Sequence, residues 1–220
     1  MKTAMIFAAG RGERLRPITD LCPKAMCRVH HIPLIEYHVT NLAAAGFTRL
    51  IINHAYLGGQ IRQHLGTGKR WNVKIIYSPE PPGALETGGG IVHALPLLGS
   101  EPFVTVNADI FTDYPFASLS LPSKSLAHLV LVPHPPYTKQ GDFGLSKNRA
   151  LENDPKEYTF AGVACYHPIL FEHRTLGRYS VTPILRQLAS EKRATGEVYQ
   201  GKWFDIGSPE RLALANELML

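Results

Sequence analysis

Cysteine is scarce: Cys22, Cys27 and Cys165 are the only three, and none stands in a C-x-x-C pair. So sparse and odd a set excludes a disulfide framework and a thiolate zinc site, and it implies reduced thiols in a cytoplasmic protein. Long apolar runs are missing too, since nothing approaches the roughly 20 residues that span a bilayer. No membrane partner is expected. The apolar start, Met1–Gly10, meets Arg11, Glu13, Arg14 and Arg16 at once, too soon for a signal peptide, and reads as a buried strand. The ten histidines are scattered without an H-E-x-x-H pair, which suits surface or packing residues better than ligands. No basic stripe interleaves with aromatics, so nucleic acid is not an expected partner. Repeats, low-complexity segments and clear linkers are absent, and the chain reads as one domain, residues 1–220.

What is present is an ordinary globular composition, 45% hydrophobic and 19% charged over 220 residues. The net charge of +5 is unevenly placed. Lys2, Arg11, Arg14, Arg16, Lys24 and Arg28 face only Glu13 and Asp20 in the first 28 residues, a local positive field that suits a polyanion. Apolar runs at 3–9, 49–53, 73–77, 103–106, 126–132, 159–166 and 202–206 read as strands. Helical spacing is predicted from Pro33, over 57–65, 90–98 and 181–190, and after a Ser208 N-cap with Pro209 at the first helical position. In the last helix Leu212, Ala215 and Met219 share a face. Alternation through the first half implies βαβ units in an α/β fold, with a mainly parallel mixed sheet and an antiparallel hairpin inserted later. Ligands of such sheets sit beyond the C-terminal strand ends, which makes Gly10, Asn107–Asp109 and Asp205–Gly207 neighbours.

The segment Ala8-Ala9-Gly10-Arg11-Gly12-Glu13-Arg14-Leu15-Arg16-Pro17 places glycines directly after a buried strand, where backbone N–H groups can turn toward phosphate. It lacks the third glycine of G-x-G-x-x-G and the G-K-[ST] ending of a P-loop. Followed to Pro23-Lys24, it resembles the sugar-nucleotide pyrophosphorylase family, whose signature runs G-x-G-x-R-L-x-P…P-K. Gly10, Gly12, Arg14, Leu15, Pro17, Pro23 and Lys24 match, seven positions within fifteen residues. The resemblance implies a Rossmann-like three-layer sandwich of the GT-A-like nucleotidyltransferase kind. It also implies that Ala9, Gly10, Arg11 and Gly12 cradle the triphosphate, that Arg14 stabilises departing pyrophosphate, and that Lys24 binds oxygens around the reacting phosphorus. Joining two polyanions is mostly a matter of positioning and charge neutralisation, which these cations supply.

An aspartate ending an apolar strand, as in Val104-Thr105-Val106-Asn107-Ala108-Asp109, is costly to bury unless it meets a cation. The resemblance makes Asp109 a Mg²⁺ ligand and sets Asn107 near the sugar. It makes Asp205, in Trp203-Phe204-Asp205-Ile206-Gly207-Ser208, the second Mg²⁺ ligand. By the same resemblance Leu85-Glu86-Thr87-Gly88-Gly89-Gly90 lies against the nucleobase, with backbone at Glu86, Thr87 and Gly88 reading its edge. Gly144 would touch sugar hydroxyls.

Glu86 stands where the family usually has glycine, and the family's upstream Gln and its later E-K-P motif are not recognisable. The stretches A-G-x-G-E-R, L-E-T-G-G-G-I, T-D-Y and W-x-D-x-G-x-x-E-R-L are most similar to compact members that join UTP to N-acetylmuramic acid 1-phosphate. Such members serve peptidoglycan recycling. The alternatives are mannose or glucose 1-phosphate as the sugar, a GT-A glycosyltransferase, and a non-catalytic nucleotide-sensing module.

Overall fold

The computed structural model describes residues 2–217. The main strands are β1 (Lys2–Phe7), β2 (Phe47–His54), β3 (Lys74–Pro79), β4 (Phe103–Asn107), β5 (Ile110–Thr112), β6 (Ala127–Pro133), β7 (Tyr158–Tyr166), β8 (Ala194–Val198) and β9 (Trp203–Asp205). The longer helices are α1 (Leu34–Ala44), α2 (Gly58–Leu65), α3 (Glu86–Leu98), α4 (Thr182–Ser190) and α5 (Pro209–Glu217). Seven strands form one sheet in the order β8-β6-β7-β4-β1-β2-β3. All run parallel except β7, which is antiparallel to both β4 and β6. The expected α/β sandwich with a mainly parallel mixed sheet is what forms.

Alternation inside the strands builds the layers. Ala4 and Ile6 of β1 face one core with Leu50, Ile52 and α1, while Met5 faces the other with Ile51 and α3. Both faces are covered, so the strand centres, Ala4–Phe7 and Leu50–Ile52, are continuous apolar runs, and each buried Ile or Leu contributes about 1.5–3 kcal/mol. A smaller cluster of Leu15, Cys27, Val29, Leu34, Phe111, Ile206 and Ala215 pins the glycine turn's flank to α5. The three cysteines are free thiols. Among the described residues no helix is long and apolar enough to cross a membrane.

Several boundaries differ from expectation for tertiary reasons. β1 stops at Phe7 rather than residue 9, because the Ala8 N–H donates to Asn53 Oδ1 (2.8 Å) instead of continuing the ladder. α1 begins at Leu34, with Pro33 as its N-cap rather than its first residue. β8 shows no clear strand pattern in Ala-Thr-Gly-Glu-Val, and it exists because β6 offers a parallel edge. The inserted hairpin, Gly144–Leu145 with Leu151–Glu152, is present and bonds β8 along its outer side, Gly196 N–H donating to Arg149 O at 2.9 Å. In α5, Ser208 Oγ accepts from Arg211 N (3.4 Å), as a cap should. The expected contribution of Met219 to that helix lies outside the described residues.

The largest difference is at α3. Its first turn starts at Glu86 rather than at residue 90, so Gly88 and Gly89 are helical and buried as well as Gly90. Helix-weakening glycines are placed here because another backbone comes too close for side chains. Gly88 and Gly89 N–H groups both donate to Tyr179 O, at 2.9 and 3.1 Å. A Cβ on Gly89 would lie 1.9 Å from Gly177 O. Gly89→Ala should therefore cost about 2–4 kcal/mol despite alanine's better helix propensity, read as a lower urea midpoint.

Candidate functional site

Strand order reverses between β1 and β4, and the crevice beyond their C-terminal ends is where such sheets bind ligands. The chain leaves β1 into that crevice because Asn53, at the end of β2, captures the Ala8 N–H. The same amide donates through Nδ2 to Glu80 Oε1 (2.7 Å), and Glu80 Oε2 accepts from Leu85 N (2.7 Å). Asn53 and Glu80 are buried, so this chain of bonds ties three strand-end loops together.

The glycine turn is pinned further along. Gly12 is left-handed at φ 72°, and a Cβ there would meet Lys24 Cβ and Thr19 Cγ2 at 3.0 Å. Thr19 Oγ1 donates to Gly12 O (2.8 Å), Arg11 Nη1 donates to Thr19 O (2.7 Å), and the Arg11 guanidinium lies 3.7 Å from the Tyr56 ring centroid. Arg16 and Arg11 both bond Asp20, at 2.8 and 3.2 Å, and the Arg16 hydrogen bond holds that carboxyl below its usual range. The basic segment is thus divided in function: some arginines shape the loop, and Lys24 turns inward.

A cavity of about 830 Å³ results. Of the residues expected at the site, Ala9, Gly10, Arg11, Lys24, Glu86, Thr87, Asn107 and Asp109 line it. Asn53, Tyr56, Glu80 and Arg178 also line it and were not anticipated. Asn53 and Glu80 each sit at the C-terminal end of a sheet strand, so the strand-end rule could have flagged them. Glu86 takes φ 59° and its carboxylate meets Arg178 Nε at 3.4 Å. Thr87 Oγ1 accepts from Val181 N (2.9 Å).

Five expected residues lie off the cavity wall. Gly12 acts behind the turn. Gly88 is packed against Tyr179, its N–H already engaged. Arg14 is exposed and points toward Gly207. Gly144 is buried in the hairpin, where a Cβ would sit 2.4 Å from Pro155 O. Asp205 ends β9, whose pairing with β5 and the Ile206 N–H to Asp109 O bond (2.8 Å) join the two acidic segments by backbone.

Each acid holds a cation. Lys24 Nζ is bonded to Asp109 Oδ2, and Arg211 Nη1 donates to Asp205 Oδ2 at 2.5 Å. Among the described residues no three His, Cys, Asp or Glu side chains cluster into a cage. Two carboxylates from adjoining segments are nonetheless the donor set Mg²⁺ accepts when phosphate oxygens complete its shell. Oxygen donors of this kind suit a hard divalent cation. Asn107 packs on Gly162, at φ 75°, where a Cβ would meet its Nδ2 at 2.7 Å.

The profile of the family described as "Nucleotidyl transferase" matches residues 3–220. An N-acetylmuramate alpha-1-phosphate uridylyltransferase from Neisseria meningitidis serogroup B is 46% identical over 224 residues, covering 98% of this chain and 97% of that protein. Its counterpart from Caulobacter vibrioides is 31% identical, covering 95% and 93%. A solved UDP-glucose pyrophosphorylase complexed with UDP-glucose superposes with a TM-score of 0.81 at 21% identity, covering 100% of this chain and 98% of that one. That last likeness speaks for the fold.

Beneath Asp109, His38 is buried, with Nε2 bonded to Ile110 O (2.9 Å) and Nδ1 without a partner among the described residues. Burial lowers its pKa from 6.5 to about 4. The unfolded chain therefore binds the extra proton first as pH falls, so this stability is complete above pH 6.5 and lost toward pH 4. Unfolding free energy should drop by about 2 kcal/mol more in the wild type than in His38→Gln between pH 7 and pH 5, measured by urea titration.

Proposed function

Because the chain belongs to the nucleotidyl transferase family, we propose that it is a uridylyltransferase joining UTP to N-acetylmuramic acid 1-phosphate as a single domain, in peptidoglycan recycling. The observation that carries the reading is the meeting of the Gly10–Arg11 turn, Lys24 and Asp109 in one cavity at the sheet's switch point. The identity of the substrates follows the two relatives that align along nearly the whole chain.

In this reaction an oxygen of the sugar phosphate attacks the α-phosphorus of UTP. The bond from α-phosphorus to the bridging oxygen breaks, and pyrophosphate leaves with the electron pair. No covalent intermediate on the protein is required, since the attacking group is already an anion. The turn at Ala9–Gly12 offers backbone N–H groups to the triphosphate. Lys24 moves from Asp109 to phosphate oxygens about the reacting phosphorus, and Arg14 meets the departing pyrophosphate as a fork-shaped donor. Glu86 and Thr87 border the base, and Asn107 faces the sugar. Mg²⁺, held by Asp109 and Asp205 when bound, supplies further neutralisation of the phosphate charge.

Pyrophosphate release should be fastest with UTP and N-acetylmuramic acid 1-phosphate in a panel that also contains GTP, dTTP, mannose 1-phosphate and glucose 1-phosphate. Release only with another pair would keep the chemistry and replace the substrates; silence throughout would refute these substrates and point to a nucleotide-sensing module or to a sugar outside the panel. Lys24→Ala should lower kcat about 10²–10³-fold with an unchanged circular dichroism spectrum. Full turnover in that variant would refute the role given to Lys24.

A further inference from the structure

The two acids assigned to the metal are both occupied by cations of this chain, and the Asp205 pair is built with more care than a surface contact requires. Arg211 Nη1 and Asp205 Oδ2 are 2.5 Å apart, with side chains only 25% and 28% exposed, so water screens them incompletely. Gly207 is buried beside them: a Cβ at that position would lie 3.0 Å from Arg211 Nη1, 3.1 Å from Asp205 Oδ1 and 3.3 Å from Arg14 Nη2. A side chain at position 207 would thus press on all three charged groups, and each would have to give way by a few tenths of an ångström. On its other side the Arg211 guanidinium lies 3.8 Å from the ring centroid of Tyr137, which is half exposed. That ring gives the guanidinium a second support if Asp205 releases it.

We propose that Arg211 is a positioning residue that holds Asp205 until metal and triphosphate arrive together, making their binding cooperative. The inference rests on the reading of Asp109 and Asp205 as metal ligands. Two carboxylates facing Lys24 and Arg211 are electrically balanced. A bare divalent cation must displace both cations and then sit beside them uncompensated. A metal–triphosphate complex brings the anionic oxygens that the displaced Lys24, Arg211 and neighbouring Arg14 can take up. The acids are thus closed to metal alone and open to metal with nucleotide.

The test is Mn²⁺ binding to the full chain by electron paramagnetic resonance, with and without α,β-methylene-UTP, corrected for metal held by the nucleotide alone. The wild type should bind Mn²⁺ more tightly with the nucleotide than without it. In Arg211→Gln, affinity for free Mn²⁺ should rise about fivefold while affinity in the nucleotide complex stays put, so the coupling shrinks by that factor. Arg211→Met, which keeps its stem against Tyr137, should show the same shift and replaces Arg211→Gln if that variant does not fold. On an Asp205→Asn background Arg211→Gln should change nothing, because the pair is already gone.

An unchanged affinity for free Mn²⁺ in Arg211→Gln overturns the proposal. So does an equal gain on the Asp205→Asn background, which would mark a diffuse field rather than a specific contact. If Asp205→Asn alone leaves Mn²⁺ binding in the nucleotide complex at the wild-type level, the ligand assignment itself fails and takes the proposal with it.

Discussion

The site depends on one side-chain amide intruding into a backbone ladder. β1 and β2 pair from Lys2 to Phe7, and the next N–H in line, that of Ala8, is taken by Asn53 Oδ1. A buried N–H released from a ladder needs a partner, and Asn53 meets that need while ending the strand. Its other end is committed to Glu80, which in turn holds the Leu85 N–H at the start of α3. The glycine turn, the end of β3 and the α3 helix are thereby fixed with respect to one another by one continuous polar chain. A fully satisfied buried network of this kind rigidifies the walls of a cavity whose occupant is itself charged and mobile.

Charge is distributed over this frame by two different means. Arg11 and Arg16 are spent on Asp20, Thr19 and Tyr56 and so define a loop. Lys24 and Arg211 are placed on acids at strand ends, where each cation compensates a carboxylate that, on the proposal above, metal and nucleotide would later claim. Without nucleotide the crevice is close to neutral, which avoids the desolvation cost of bare charges beside an apolar core.

Much of this was legible from residues alone. Buried strands ending in glycine or aspartate, spaced by amphipathic helices, are enough to place Gly10 and Asp109 at one end of a parallel sheet, whereas Lys24 is placed there by the family resemblance alone. The illegible parts are those whose cause is a distant partner. Ala194–Val198 is a strand only because β6 lies beside it. Gly88 and Gly89 give no sign of belonging to the helix until the Gly177 and Tyr179 carbonyls are known to press against them. Glu80, between prolines, gives no local hint that Asn53 awaits it. Arg211 sits in a helix's first turn, where its spacing says only that it is not core.

The hairpin at Gly144–Glu152 bears on how the molecule behaves in a crowded solution. β8 closes one side of the seven-stranded sheet, and its outward N–H and C=O groups are a ready template for another chain's strand. The hairpin occupies that template: Ala150 bridges Thr195, and Gly196 donates its N–H to Arg149 O. Gly196, which has no side chain to obstruct the approach, is where the cover fits. The insertion therefore works as a guard against edge-to-edge association, letting a parallel sheet terminate without recruiting a neighbour.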